Sequence, residues 1–169
     1  LSIKSSGRIR KYVSQESLKK QVHALVLSRL DYANSLLHGA TRSDLDKLQR
    51  TINSAARLTT VIKKYELTSD ALRNLHWLPI ECRIKFKILF NGIQVLECLA
   101  PDYLFALIDV RRPTRSLRSC NKLLLNVPKI NTVTLWPIAF SYVAATLWNS
   151  IEDNIRNSVR AEIFQTRLK

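Results

Sequence analysis

LHWLPIECRIKFKILFNGIQVLECL, residues 75–99, decides the fold. Pro79 stands where a helix starts, since first-turn donors have no partner inside a helix and a missing N–H costs nothing there. On a 3.6-residue wheel Ile84, Ile88, Leu89, Ile93, Val95, Leu96 and Leu99 spread over more than half the circumference, while Arg83, Lys87, Asn91, Gln94 and Glu97 form one narrow stripe. A helix that apolar is covered on most sides. The rest of the chain is therefore expected to pack around it. The helix itself carries no chemistry.

The 169 residues suit one domain or slightly more. A chain of that length buries about two-thirds of its unfolded surface, enough for a real core. Hydrophobic residues at 46% and charged residues at 24% place it among globular rather than disordered chains. Three glycines and five prolines leave few tight turns and favour long helices.

Charge is the most informative bulk property. Twenty-seven Lys and Arg against 13 Asp and Glu leave a net charge of +14. A domain this basic faces a polyanion, nucleic acid first and an anionic membrane surface second. No apolar run reaches the ~20 residues that span a bilayer, and the N-terminus lacks the pattern of a secretory signal. Cys82, Cys98 and Cys120 are too widely spaced for a zinc site and read as reduced, structural thiols in an intracellular protein. The absence of methionine is read as the mark of an internal or C-terminal piece of a longer reading frame.

From Ser14, an N-cap candidate, apolar residues recur at helical spacing through Leu18, Val22, Leu25, Val26, Leu30, Ala33, Leu36 and Leu37, and Gly39 supplies the stop. A second helix is expected from Ser43, with Asp46 completing a capping box. Its face of Leu45, Leu48, Ile52, Ala55 and Ala56 opposes a basic stripe of Lys47, Arg50 and Arg57. Short helices follow at Thr68 to about His76 and, after Pro101, at Asp102 to Ile108.

Composition changes at Asp109, which divides the chain into residues 1–109 and 110–169. Arg111, Arg112, Arg115, Arg118, Lys122 and Lys129 follow with no acid among them. Leu123 to Val127, closed by Pro128, reads as a strand, with a turn at Asn131 to Thr134 into a partner. Helices are expected at Trp136 to Ile151, burying Ala139, Phe140, Val143, Leu147 and Trp148, and at about Ser158 to Leu168. The fold class is thus mainly α: a helical bundle around a central buried helix at about residues 79–99, with one small β-hairpin near residues 122–135.

The chemistry is sparse. Three scattered glycines make no phosphate loop, and no carboxylate set suits a two-metal site. Asp44 and Asp46 sit in a helix's first turn, where the dipole favours them regardless of function. His76, in HWLP, satisfies a helix end more readily than it serves as a general base, for no nucleophile or orienting partner is visible. Trp77 reads as a core anchor. The candidate phosphate contacts are Lys47, Arg50, Arg57, Arg111, Arg112, Arg115 and Arg118. No catalytic, cofactor-binding or metal-ligating residue is assigned.

A resemblance covers about Gly7 to Leu168. GRIRKYVSQES (7–17), SRLDYANSLLHG (28–39), LDKLQRTINSAARL (45–58), LHWLPIECRIKFKI (75–88), LAPDYL (99–104), RSLRS (115–119), LLNVPK (124–129) and LWNS (147–150) occur in this order. The series resembles the C-terminal part of a LINE-type, non-LTR retrotransposon reverse transcriptase of the Jockey superfamily. The chain departs from that pattern at Ala33, where Cys is usual, at Ile138, where a basic residue is usual, and at Ile151-Glu152, in place of Leu-Pro.

The resemblance implies a place downstream of the polymerase palm, with residues 1–109 thumb-like and the rest a basic C-terminal segment. It implies template RNA, RNA–DNA hybrid or target DNA and the remainder of the polymerase chain as partners, no membrane, and a nuclear and cytoplasmic location. The family's palm motif, which binds magnesium, is not in this chain, so no enzyme activity on its own and no cofactor are expected. The alternative is a protein–protein module or a relic without selected function.

Overall fold

A computed structural model describes residues 12–60, 62, 66–111, 123–129 and 139–156, and these are mainly α. They divide into two compact units whose boundary falls between Ile84 and Lys85, inside the central helix.

In the first unit, Ser14 caps α1 (Gln15–Val22) as expected, its Oγ accepting from the Ser17 N–H at 3.3 Å. The helix continues through a π-helical segment, His23–Leu27, into α2 (Ser28–Asp31). It does not run on to Leu37. Tyr32 is extended, Ala33 is left-handed at φ 50°, and Asn34–Leu37 forms a 3₁₀ turn. The reason is tertiary. Asp31 accepts two bonds from Arg83 at 2.6 and 2.7 Å, and Asn34 is drawn into the interior. Such contacts outweigh helical propensity.

The second expected helix is α3 (Arg42–Thr60). Its cap is Thr41 rather than Ser43. Thr41 Oγ1 accepts from the Asp44 N–H at 3.3 Å and donates to the Asp44 carboxylate at 2.7 Å, a variant of the capping box two residues earlier than expected, with the hydroxyl in place of the cap's backbone N–H as donor to the carboxylate. Ile52, Ala55 and Ala56 are fully buried. Leu18 and Val22 of α1 are buried with them, and α3 packs against both α1 and α4 (Thr68–Asn74).

α4 closes in a Schellman turn. The Trp77 N–H reaches Leu72 O at 2.8 Å, the His76 N–H reaches Arg73 O at 2.9 Å, and His76 is left-handed at φ 55°. That turn brings Trp77 into the core at 6% exposure.

The central helix, α5 (Ile80–Leu96), begins directly after Pro79. Gln49 of α3 caps it, accepting from the Ile80 N–H at 2.9 Å, and Asn53 holds Gln49 in turn at 2.8 Å. Within α5 only Glu81, Cys82 and Lys85 are exposed, as the wide apolar arc requires. The helix is shorter than the expected 79–99. A second Schellman turn ends it, with Leu99 N–H on Gln94 O at 2.8 Å, Cys98 N–H on Val95 O at 3.1 Å and Cys98 at φ 57°. Leu99 leaves the helical wheel there and is 68% exposed, against its expected place in the apolar arc.

The second unit gathers Leu89, Ile93, Leu125, Ala145 and Trp148 into one core, flanked by Leu96, Ile108, Val110, Leu147, Ile151 and Ile155. α6 (Asp102–Phe105) is one turn opened by Pro101 and ends before the expected Ile108. α7 (Phe140–Asn149) buries Val143, Ala144, Ala145 and Trp148. α8 (Asp153–Arg156) follows, and buried Arg156 donates to the carbonyls of Asn149 and Ile151 at the C-terminal end of α7, where a cation suits the dipole.

Residues 123–129 form no regular strand. Leu125 makes a single antiparallel bridge to Val110, upstream of it, with Arg111 N–H on Leu124 O at 2.9 Å and Asn126 N–H on Asp109 O at 2.8 Å. The expected turn at 131–134 into a partner strand and the helix at 158–168 lie outside the described residues. Among the described residues no helix is long and apolar enough to cross a membrane.

Candidate nucleic-acid interface

Helix α3 positions the basic stripe of the first unit. Its apolar positions are committed to the core, so Lys47 and Arg50 face out, one turn apart and about 4.5 Å along the axis. Arg57 lies about 10.5 Å beyond Arg50 on that axis.

The three cations are not equivalent. Lys47 Nζ pairs with Asp44 at 2.8 Å. That lysine, then the Thr41 hydroxyl, holds the Asp44 carboxyl below its usual range. Arg50 is exposed and forms no ion pair among the described residues. Arg57 is half-buried, and its Nε is enclosed without an acceptor there. The stripe therefore presents Arg50 freely, Lys47 through exchange with Asp44, and Arg57 only in part.

Arg111 is exposed in the second unit, where its backbone N–H anchors the bridge to Leu124. Arg112, Arg115 and Arg118 lie outside the described residues. Further exposed cations that the stripe did not include are, among others, Lys19 and Lys20 on α1, Arg29 on α2 and Lys85 on α5. Lys20 is paired with Glu16 at 2.8 Å. Isolated exposed cations outside an amphipathic stripe leave no periodic signal.

Other features are structural. A groove of about 280 Å³ lies between the starts of α3 and α5, and the Arg42–Glu81 pair at 2.7 Å takes up its cation. Cys82 and Cys98 are free and exposed. His23 and His76 are exposed and His38 is half-buried; His76 closes α4, in keeping with the reading of HWLP as a helix end. Among the described residues no group of three His, Cys, Asp or Glu is placed to hold a metal ion.

Several of the quoted motifs meet, Gln49 of LDKLQRTINSAARL on the Ile80 N–H of LHWLPIECRIKFKI among them. Asp31 of SRLDYANSLLHG binds Arg83 of LHWLPIECRIKFKI, and Arg83 Nε also donates to Leu78 O at 2.9 Å. LWNS meets LLNVPK through Asn149, whose Oδ1 accepts from Leu125 N–H at 3.0 Å and whose Nδ2 donates to Leu125 O at 2.9 Å. Trp148 Nε1 donates to Leu123 O at 2.8 Å beside it.

No family model, curated protein or solved structure matches the chain.

Proposed function

We propose that this chain is the nucleic-acid-gripping C-terminal region of a non-LTR retrotransposon reverse transcriptase of the Jockey type. It holds template RNA, an RNA–DNA hybrid or target DNA, while the active site lies in a palm elsewhere. The observation that carries the reading is a net charge of +14 with Lys47 and Arg50 on the outer face of α3. The ordered motif series supports the family. On this reading the chain alone does not extend a primed template with magnesium.

Fluorescence anisotropy with an RNA–DNA hybrid across a salt series tests it. Each lost phosphate contact lowers the log–log salt slope by about one unit. Arg50→Gln with Arg57→Gln is expected to weaken binding to all sequences alike and flatten the slope, with Arg50 supplying most of the effect. Equal affinity and slope in the double variant and the parent would reduce the stripe to a solvated helix face. A protein–protein module is the second reading. Leu99, Tyr103 and Leu107, exposed at 68%, 70% and 43% beside Glu97 and Asp102, favour it.

A further inference from the structure

Among the described residues three tyrosines are largely exposed: Tyr12 at 87%, Tyr32 at 85% and Tyr103 at 70%. Tyr103 follows Asp102, an acid that repels phosphate. Tyr32 also follows an acid, but Asp31 is taken up by the guanidinium of Arg83 at 2.6 and 2.7 Å. The next charged residue back along the chain is Arg29, three residues before Tyr32 and exposed, with no ion pair among the described residues.

The turn that carries Tyr32 is fixed from several sides. The Tyr32 N–H bonds Ser28 O at 3.1 Å, and the Leu36 N–H bonds Ala33 O at 3.0 Å. Asn34 is 2% exposed, with its Nδ2 on Asp31 at 3.5 Å. Tyr32 is itself extended, at ψ 119°, and Ala33 after it is left-handed, so the chain leaves the helix at this residue. With the backbone of the turn fixed, only the side-chain torsions of Tyr32 are left to be ordered when something stacks on its ring.

We infer that Tyr32 is a stacking platform for an unpaired nucleobase, with Arg29 holding the adjoining phosphate. The inference rests on the nucleic-acid reading above and assigns it a single-strand subsite. Charge decides the occupant. The acid that precedes Tyr32 in the chain is paired with Arg83, the exposed cation three residues earlier has no ion pair among the described residues, and the whole chain is strongly basic, so a polyanion with flat faces fits better than an apolar peptide. Base–aromatic stacking tolerates any sequence, because every base has a π-face.

The test uses the full chain and a short single-stranded oligonucleotide carrying 2-aminopurine, with a duplex of the same sequence as control. Stacking on Tyr32 quenches 2-aminopurine fluorescence. Tyr32→Ala is expected to weaken single-strand binding about 5- to 150-fold, the range for one stacked base, and to abolish the quenching. Tyr32→Phe is expected to retain both, and Arg29→Gln to weaken binding while keeping the quenching. Duplex affinity should stay at parental values in Tyr32→Ala and Tyr32→Phe, and the melting temperature in all three, since both side chains are exposed. Unchanged affinity and quenching in Tyr32→Ala would overturn the inference, leave the charge reading standing and return the corner to a protein contact. An equal loss on single strand and duplex would also overturn it. Failure of the parent to bind either nucleic acid would remove both readings.

Discussion

Asn149→Ala is the most direct test of how the second unit is built. Leu125 bridges Val110 through the hydrogen bonds of its neighbours, Leu124 O and Asn126 N–H. Its own N–H and C=O point the other way, and both end on the Asn149 side chain at 3.0 and 2.9 Å. The asparagine amide thus takes the place of a second neighbouring strand, and Trp148 Nε1 extends it to Leu123 O. Leu125 is 2% exposed, so removing the amide leaves a donor and an acceptor with poor access to water. Each bond contributes about 0.5–1.5 kcal/mol net, and a stranded buried group costs about 1–3 kcal/mol. Asn149 itself is half-buried, which admits some water to the gap. The expected loss is therefore about 2–3 kcal/mol, near the sum of the two net bonds. That corresponds to a fall in Tm of about 4–12 °C for a chain of this size. Asn149→Asp keeps the acceptor for the N–H but turns an ionised oxygen toward the Leu125 carbonyl, and should lose at least as much. Urea unfolding followed by tryptophan fluorescence measures the loss, and hydrogen exchange at the Leu125 amide locates it. An alanine variant within about 0.5 kcal/mol of the parent, the range of an ordinary surface change, with the Leu125 amide still protected, would refute the clamp.

Trp77→Ala should cost about 3–5 kcal/mol, because the ring is nearly enclosed; a variant melting within a few degrees of the parent would mean the ring does not anchor the first unit. His76→Gly should stabilise by about 0.5–1 kcal/mol, since the left-handed penalty of about 1–2 kcal/mol slightly exceeds the entropic cost of glycine. His76→Val should destabilise instead, and a reversed order in thermal melts would contradict the Schellman assignment of HWLP. Asp44 is held below its usual range in the folded chain by Lys47 and Thr41. Its contribution is therefore present above the ordinary carboxylate pKa and lost as pH falls through the lowered folded value. Asp44→Asn should make the helical circular dichroism less sensitive to acid, and an unchanged acid profile would remove Asp44 from the cap of α3.

Much of the architecture was legible in the chain itself, because it depends on neighbours close in sequence. The wide apolar arc of residues 80–96 predicted a helix covered on most sides, and that periodicity is local. Ser14 as a cap, the start of α5 directly after Pro79, the core position of Trp77 and the outward face of Lys47 and Arg50 follow from the same short-range patterns. The net charge, and with it the expectation of a polyanionic partner, needs no structure at all.

What the tertiary structure decided depends on partners far away in the chain. The first helix stops at Asp31 because Arg83, 52 residues on, binds its carboxylate. The first donor of α5 is satisfied by Gln49, 31 residues before it. Residues 123–127 read as a strand closed by Pro128, but Leu125 is paired by a single bridge and an asparagine 24 residues away. Arg57 shares a helical stripe with Arg50, and only packing half-buries the one and frees the other. Period and propensity report which face of an element is apolar. They carry no record of which distant side chain will satisfy a buried backbone group, and that satisfaction set where these elements end and which cations remain available.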